Sequence, residues 1–181
     1  MLKLILSRYL DRFERTFGYD ASYMRHVLRV NPFSLFKFSL GTQATDPHAA
    51  PPEALVAAGL YGTLTEDCGP CVQVGVDIAT ANGVDPNVLR AIVAGDLEAM
   101  GETASLGYRF ARASLARDLE ACDPLRDEIV RRWGDKALVA ISLGIVASRM
   151  YPTLKYALGY GKSCSRVQVG GETVVPLRLV A

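Results

Sequence analysis

The residues best suited to chemistry are Cys68 and Cys71, separated only by Gly69-Pro70. A spacing of three puts two helical side chains on one face, within reach of a disulfide. If Cys68 opens a helix, the unpaired backbone N–H groups and the positive end of the helix dipole favour its thiolate. This predicts Cys68 as the low-pKa nucleophile and Cys71, one turn in and more buried, as the resolving thiol. Pro70 fits a first turn, where a missing N–H sacrifices no helical hydrogen bond. Glu66, two residues before Cys68, is a third candidate, as an acid or base beside the thiols. The run Thr65-Glu66-Asp67 also reads as ordinary capping and dipole complementation at a helix start.

Other chemistries find less support. Structural zinc needs four ligands, and Cys122, Cys164, His26 and His48 are too scattered to supply a second pair, so no metal is expected. His26 and His48 read as surface or capping residues. No phosphate-cradling glycine loop and no Ser/His/Asp arrangement appears, so no cofactor is expected. A chance pair of buried cysteines stays open, because free cysteine is a common core residue. Cys-Gly-Pro-Cys is also a thioredoxin motif, but that fold places it directly after a buried strand. Here the preceding run, Ala54-Leu-Val-Ala-Ala-Gly-Leu-Tyr, is Ala-rich without β-branched alternation, and no βαβ pattern exists elsewhere.

The elements that must position the pair are helical almost throughout. Leu2, Ile5, Leu6, Tyr9, Leu10, Phe13 and Phe17 form one stripe ended by Gly18. Short helices follow over 21–30 and from Pro32 to about residue 40, and Gly41–Pro52 reads as a loop. A helix from Glu53 to about Leu64 precedes the one that starts near Cys68 and stops at Asn82-Gly83. Asp85-Pro86 restarts a helix, an N-cap with proline at the first helical position. A long helix is expected over 97–116, and Asp123-Pro124 is expected to open the next, closed by Gly134. Asp135 should cap a helix that is apolar all round over 137–146 and therefore buried, with Pro152 interrupting it. Beyond Gly161, Arg166-Val-Gln-Val, Gly170-Gly171 and the run from Thr173 read as a small hairpin or arm against the helical body or a neighbouring subunit. Pro176 marks the second segment as an edge strand or a plain arm.

The 181 residues fit one domain, half of them hydrophobic and ample for a core. Twenty basic side chains against nineteen acidic ones give a net charge of +1, which gives no electrostatic reason to expect nucleic acid. The N-terminus lacks the features of a signal peptide. The longest nearly uncharged stretch, 137–148, falls short of a bilayer span, so a cytoplasmic location without stable membrane insertion is expected.

The stretch Glu53–Asp96 and the later Arg131-Arg-Trp-Gly-Asp-Lys-Ala-Leu-Val-Ala resemble the alkylhydroperoxidase D / carboxymuconolactone decarboxylase family. The likeness is in the order of pieces: an Ala/Leu/Val helix, a break, Cys-x-x-Cys opening a helix, then Gly-Val-Asp-Pro. It covers roughly residues 50–160, leaving 1–50 as an N-terminal helical extension and 161–181 as an extended C-terminal arm. The resemblance implies an all-α helical bundle that associates with copies of itself, as a dimer, trimer or hexamer. It also implies thiol-dependent peroxide reduction fed by an external thiol donor. In the Cys-containing branch the second cysteine attacks peroxide and the first resolves, which reverses the roles derived from the dipole. That branch also carries a His four residues after the second cysteine and an upstream Glu as a proton relay. Here those positions are Gly75 and Val56, a departure that should slow catalysis by about 10²–10⁴-fold.

The expected function is therefore a thiol–disulfide oxidoreductase with weak or narrow activity on organic hydroperoxides, acting through Cys68, Cys71 and Glu66. Two alternatives stand beside it. One is a non-catalytic or redox-sensing oligomer with a structural cysteine pair. The other is a decarboxylase-like enzyme for another small organic substrate, with Gly75 and Val56 enlarging the pocket.

Overall fold

A computed structural model describes residues 1–161 and 166–177; Cys164 and the last four residues of the C-terminal arm lie outside the described residues. The chain is all-α, with a single two-stranded hairpin among the described residues.

The first helix, α1 (Leu2–Phe17), ends on Gly18, whose left-handed backbone (φ +56°) turns its N–H back to the Glu14 carbonyl. α2 (Ser22–Val30) runs into Asn31, whose side chain accepts from the N–H groups of Phe33 and Ser34 and caps α3 (Pro32–Gly41). Leu10, Tyr23, Leu28 and Leu35 form the centre of this three-helix unit. Val74 and Tyr151, from helices further along the chain, pack into the same cluster and join the unit to the rest of the fold.

The larger core is built around α4 (Pro52–Leu64), followed by α5 (Gly69–Ala81), α6 (Pro86–Ala94), α7 (Gly101–Ala116), α8 (Leu119–Trp133) and α9 (Asp135–Ala157). α4 is buried along most of its length because its small residues let neighbours approach closely. A Cβ on Gly107 of α7 would stand 2.3 Å from the Ala54 carbonyl oxygen, and one on Gly62 would meet Ser148 and Ile145 of α9. Leu89, Ile92, Ile129 and Ile141 are fully buried around this centre, each contributing roughly 1.5–3 kcal/mol of apolar burial.

Several features differ from those the sequence predicts. α7 starts at Gly101, not residue 97, because the Asp96 carboxylate accepts from Glu98 and Ala99 N–H and holds a separate turn. α8 starts at Leu119, not at Asp123-Pro124, because Asp118 supplies the cap through Ala121 N–H and Pro124 is carried inside the helix. Pro152 does not interrupt α9. The proline cannot donate to the Ser148 carbonyl one turn back, and the Thr63 hydroxyl of α4 lies 3.3 Å from that oxygen and donates in its place. Nor is the apolar run of α9 buried all round. Ala137, Ile141 and Ile145 face the core, while Val139 and Val146 on the opposite side are well over half exposed.

By length and composition α9 is long and apolar enough to cross a membrane, longer than its uncharged stretch suggested, since the helix continues through Arg149 and Lys155. Both of these cations lie against the protein, Arg149 on Glu66 and Lys155 on two tyrosine rings.

The C-terminal segment forms an antiparallel hairpin, β1 (Val167–Val169) with β2 (Glu172–Val174), turned by Gly170 and Gly171, both at positive φ. It lies on the helical body. Gln73 of α5 exchanges two hydrogen bonds with the backbone of Gln168, and Val167 and Val169 are buried. The chain is past β2 before Pro176, and Leu177 N–H donates to the Val93 carbonyl at the end of α6.

Candidate active site

Cys68 is the N-cap residue of α5, and its carbonyl accepts from the N–H groups of Cys71 and Val72. Pro70 occupies the first turn, as its chemistry allows. The two cysteines are joined as a disulfide with Cα atoms 5.3 Å apart, so the i, i+3 spacing brings the sulfurs together on one face.

Their burial is the reverse of the sequence expectation. Cys68 is 1% exposed, whereas Cys71 is partly open. The turn that delivers Cys68 is held by α9. Glu66 is gripped by Arg149 (2.5 Å) and by the Thr153 hydroxyl (3.0 Å), and the Tyr156 hydroxyl donates to the Asp67 carbonyl (2.9 Å). All three partners belong to α9, so the turn is clamped down onto that helix. Asp67 closes it with positive φ, uncommon for a residue with a side chain. Glu66 therefore has its carboxylate oxygens engaged by α9. It does not cap α5 either, whose N-cap makes no side-chain hydrogen bond.

Cys71 borders a cavity of about 360 Å³ with predominantly apolar walls. Leu60 and Thr63 of α4, Val74 and Ile78 of α5, and Ala147 and Tyr151 of α9 form much of it. Tyr9, Phe13, Tyr19 and Tyr23 close the side contributed by the N-terminal unit. Val56 and Gly75 both line this same cavity. A Cβ on Gly75 would approach Leu60 to 2.8 Å, so the space beside Cys71 depends on that glycine.

Among the described residues, the hydroxyl in contact with the sulfur is a tyrosine's. The Tyr19 hydroxyl lies 3.6 Å from Cys71 Sγ and 3.3 Å from the Tyr23 hydroxyl, to which it donates in this disulfide state. Burial pushes both phenols above their usual range; the hydrogen bond between them lowers Tyr19 and raises Tyr23 further. Lys155, itself buried, places its ammonium 4.9 Å from the Tyr19 ring centre and 5.8 Å from that of Tyr23, an arrangement in which the ring faces attract the cation.

Tyr19 is fixed from the other side by a polar network. Arg25 binds Asp11 at 2.7 Å and also Glu14, while Glu14 accepts from the Ala21 N–H. This network closes the α1–α2 connection in which Tyr19 sits. Sequence reasoning did not select Tyr19 or Tyr23. The available signal was a concentration of aromatic residues, Phe13, Phe17, Tyr19 and Tyr23, in a segment with no other assigned role.

The remaining candidates lie elsewhere. His26 bonds the Tyr160 hydroxyl at 3.1 Å, and the exposed His48 donates its backbone N–H to Asp46; neither lines the cavity. Cys122 is buried against Ser114 and Arg126. Gln73 turns away from the sulfurs to Asp77 and the hairpin. No group of three His, Cys, Asp or Glu side chains able to hold a metal occurs among the described residues.

Comparison with protein-family models, with curated proteins and with solved structures gives no match to this chain.

Proposed function

We propose that the chain is a thiol–disulfide oxidoreductase that reduces organic hydroperoxides, with Cys71 as the attacking thiol and Cys68 as the resolving one. The observation that carries this reading is the asymmetry of the pair. Cys71 borders a cavity large enough for a small organic molecule, while Cys68 is closed off at its back. The family resemblance of the sequence assigns the same order of roles. The apolar walls favour an alkyl or aryl hydroperoxide over hydrogen peroxide, since burial of its hydrocarbon part supplies binding energy.

The chemistry balances with one external reductant class. The Cys71 thiolate attacks the terminal peroxide oxygen, an S–O bond forms, the O–O bond breaks, and the departing alkoxide takes up a proton. Cys68, as thiolate, then displaces hydroxide from the Cys71 sulfenic acid, giving the disulfide and, with one proton, water. Two thiols of a donor reduce the disulfide and become a disulfide themselves.

The test is turnover of cumene hydroperoxide with dithiothreitol as donor. Wild type should cycle and Cys71→Ser should be inactive, while pre-reduced Cys68→Ser freed of dithiothreitol should consume one equivalent and stop as a trappable sulfenic acid. A Cys71→Ser variant as fast as wild type would remove the reading, leaving the pair as a structural disulfide.

A further inference from the structure

The site described above contains a thiol but, at the positions next to it, neither imidazole nor carboxylate. Gly75 and Val56 offer nothing to a proton, and both oxygens of Glu66 are engaged by α9. A peroxide-reducing thiol needs two services that a bare apolar pocket withholds. Its thiolate must be stabilised by a donor, and the alkoxide it expels must be protonated. Among the described residues, the titratable or charged groups around Cys71 and Tyr19 are Tyr9 from α1, Tyr19 and Asp20 from the α1–α2 connection, Tyr23 from α2, Tyr151 from α9, and Lys155 of α9 behind the Tyr19 and Tyr23 rings. Of these hydroxyls, that of Tyr19 is within contact distance of the sulfur.

We propose that Tyr19 is the catalytic acid of this site, donating a hydrogen bond to the Cys71 thiolate and then its proton to the departing alkoxide, with Tyr23 as its positioning partner. The proposal rests on the reading of Cys71 as the attacking thiol.

A phenol has one proton and two acceptor directions, and its O–H can rotate without moving a heavy atom. In the disulfide state Tyr19 directs that proton to Tyr23. When the disulfide is reduced and Cys71 ionises, a full negative charge appears 3.6 Å from the same oxygen. A charge-assisted hydrogen bond is about twice as strong as a neutral one. Tyr19 then turns its proton to sulfur, and Tyr23 turns its own to Tyr19. After the O–O bond breaks, Tyr19 gives its proton to the alkoxide and is left as a phenolate, held by the hydrogen bond from Tyr23. The Cys68 thiol returns a proton to that phenolate as it becomes the thiolate that closes the disulfide. The proton that the Cys71 thiol released to solvent on ionising is taken back by the displaced hydroxide, giving water, so the account closes and Tyr19 finishes as it began.

The assignment of Tyr19 over Tyr23 follows from two features of the pair. Tyr19 is next to the sulfur, and of the two phenols, both raised chiefly by burial, it is the one that their mutual hydrogen bond lowers while Tyr23 is raised further. Burial still holds it above its ordinary range, so it carries its proton at neutral pH.

The full-length protein carrying Tyr19→Phe tests this with two readouts. The first is the pH dependence of iodoacetamide alkylation at Cys71, followed by peptide mass in reduced protein, which needs no peroxide turnover. Loss of the donor should shift the profile to higher pH and slow alkylation about tenfold on its acid side. The second compares cumene hydroperoxide with peroxyacetic acid, whose carboxylate leaving group needs no proton. Tyr19→Phe should lose about 10²-fold with the hydroperoxide and at least tenfold less with the peroxyacid. Tyr23→Phe should show the same selectivity more weakly. An unchanged alkylation profile overturns the assignment, whether or not wild type turns over peroxide. So does an equal loss with both oxidants, which indicates a structural role. If Cys71→Ser abolishes turnover while Tyr19→Phe matches wild type, Tyr19 is excluded and the function proposed for Cys71 stands. If wild type reduces neither oxidant, that function fails, and the catalytic role of Tyr19 with it.

Discussion

The Thr63 hydroxyl on α4 lies 3.3 Å from the Ser148 carbonyl of α9, at the acceptor that Pro152 leaves without its helical partner. The same hydroxyl lies 3.2 Å from Gly59 O, so one proton is shared between its own helix and the neighbour. Thr63 is 7% exposed, and water cannot easily replace it. Thr63→Val keeps the shape and removes the donor, and should cost about 1 kcal/mol of stability. In a Pro152→Ala background the restored N–H can serve Ser148, and the cost of Thr63→Val should shrink. Urea denaturation of the four proteins of this double-mutant cycle measures the coupling. Additive effects would show that the hydroxyl does not serve that carbonyl.

Glu66 offers a second separation between structure and chemistry. Its carboxylate oxygens are occupied by Arg149 and Thr153, so it clamps the turn before Cys68. Glu66→Gln and Arg149→Met should then act alike. Each should cost about 1 kcal/mol, the modest value expected because Arg149 is well exposed. Each should also make the disulfide react faster with dithiothreitol by loosening the cover of Cys68. If Glu66 were a proton relay, Glu66→Gln alone would depress hydroperoxide turnover, and Arg149→Met would leave it unchanged.

The fold class was legible in the sequence because apolar periodicity and the capping residues Gly18 and Asp85 act locally. What was not legible depended on distant partners. Pro152 reads as a helix break until α4 brings Thr63 to the stranded carbonyl. The apolar surface of Val139 and Val146 reads as core although no described element covers it. At the site, the spacing of Cys68 and Cys71 announced the disulfide. Which sulfur is accessible was not announced, and the turn before Cys68 is held by contacts of Glu66 and Asp67 with residues more than eighty positions away. Tyr19 meets Cys71 across 52 residues, a distance at which no spacing rule operates.

The close approach of α4 and α7 gives a contrast between two glycines. A methyl group on Gly107 would press on the Ala54 backbone, which cannot swing aside as a side chain can. Gly107→Ala should destabilise by about 1–3 kcal/mol. Gly144 in α9 has no neighbour nearer than the Thr45 side chain at 3.9 Å. There alanine relieves the helix of a glycine, and Gly144→Ala should stabilise by roughly 0.5–1 kcal/mol. Thermal unfolding of both variants checks the opposite signs.

The connection that carries Tyr19 should loosen in acid. Hydrogen bonding from Arg25 holds the Glu14 carboxyl below the usual glutamate range, the opposing effect of burial being smaller. A carboxyl depressed in the folded state adds stability that is fully present above its unfolded value, about 4.3 for Glu. That stability is lost as pH falls through the lower folded value. Arg25→Met removes the cause. The stability gap between wild type and Arg25→Met should therefore be largest near about pH 6 and narrow toward about pH 3. The gap should be small, about 0.5–1 kcal/mol, because both side chains are partly exposed. Since Tyr19 stands between Gly18 and the Glu14-bound Ala21, the same variant should blunt the Tyr19 effect on Cys71 alkylation at neutral pH. A constant gap across the pH range would show that Glu14 gains nothing from Arg25, and the positioning of Tyr19 would have to come from its other neighbours, Phe13, Tyr23 and Lys155.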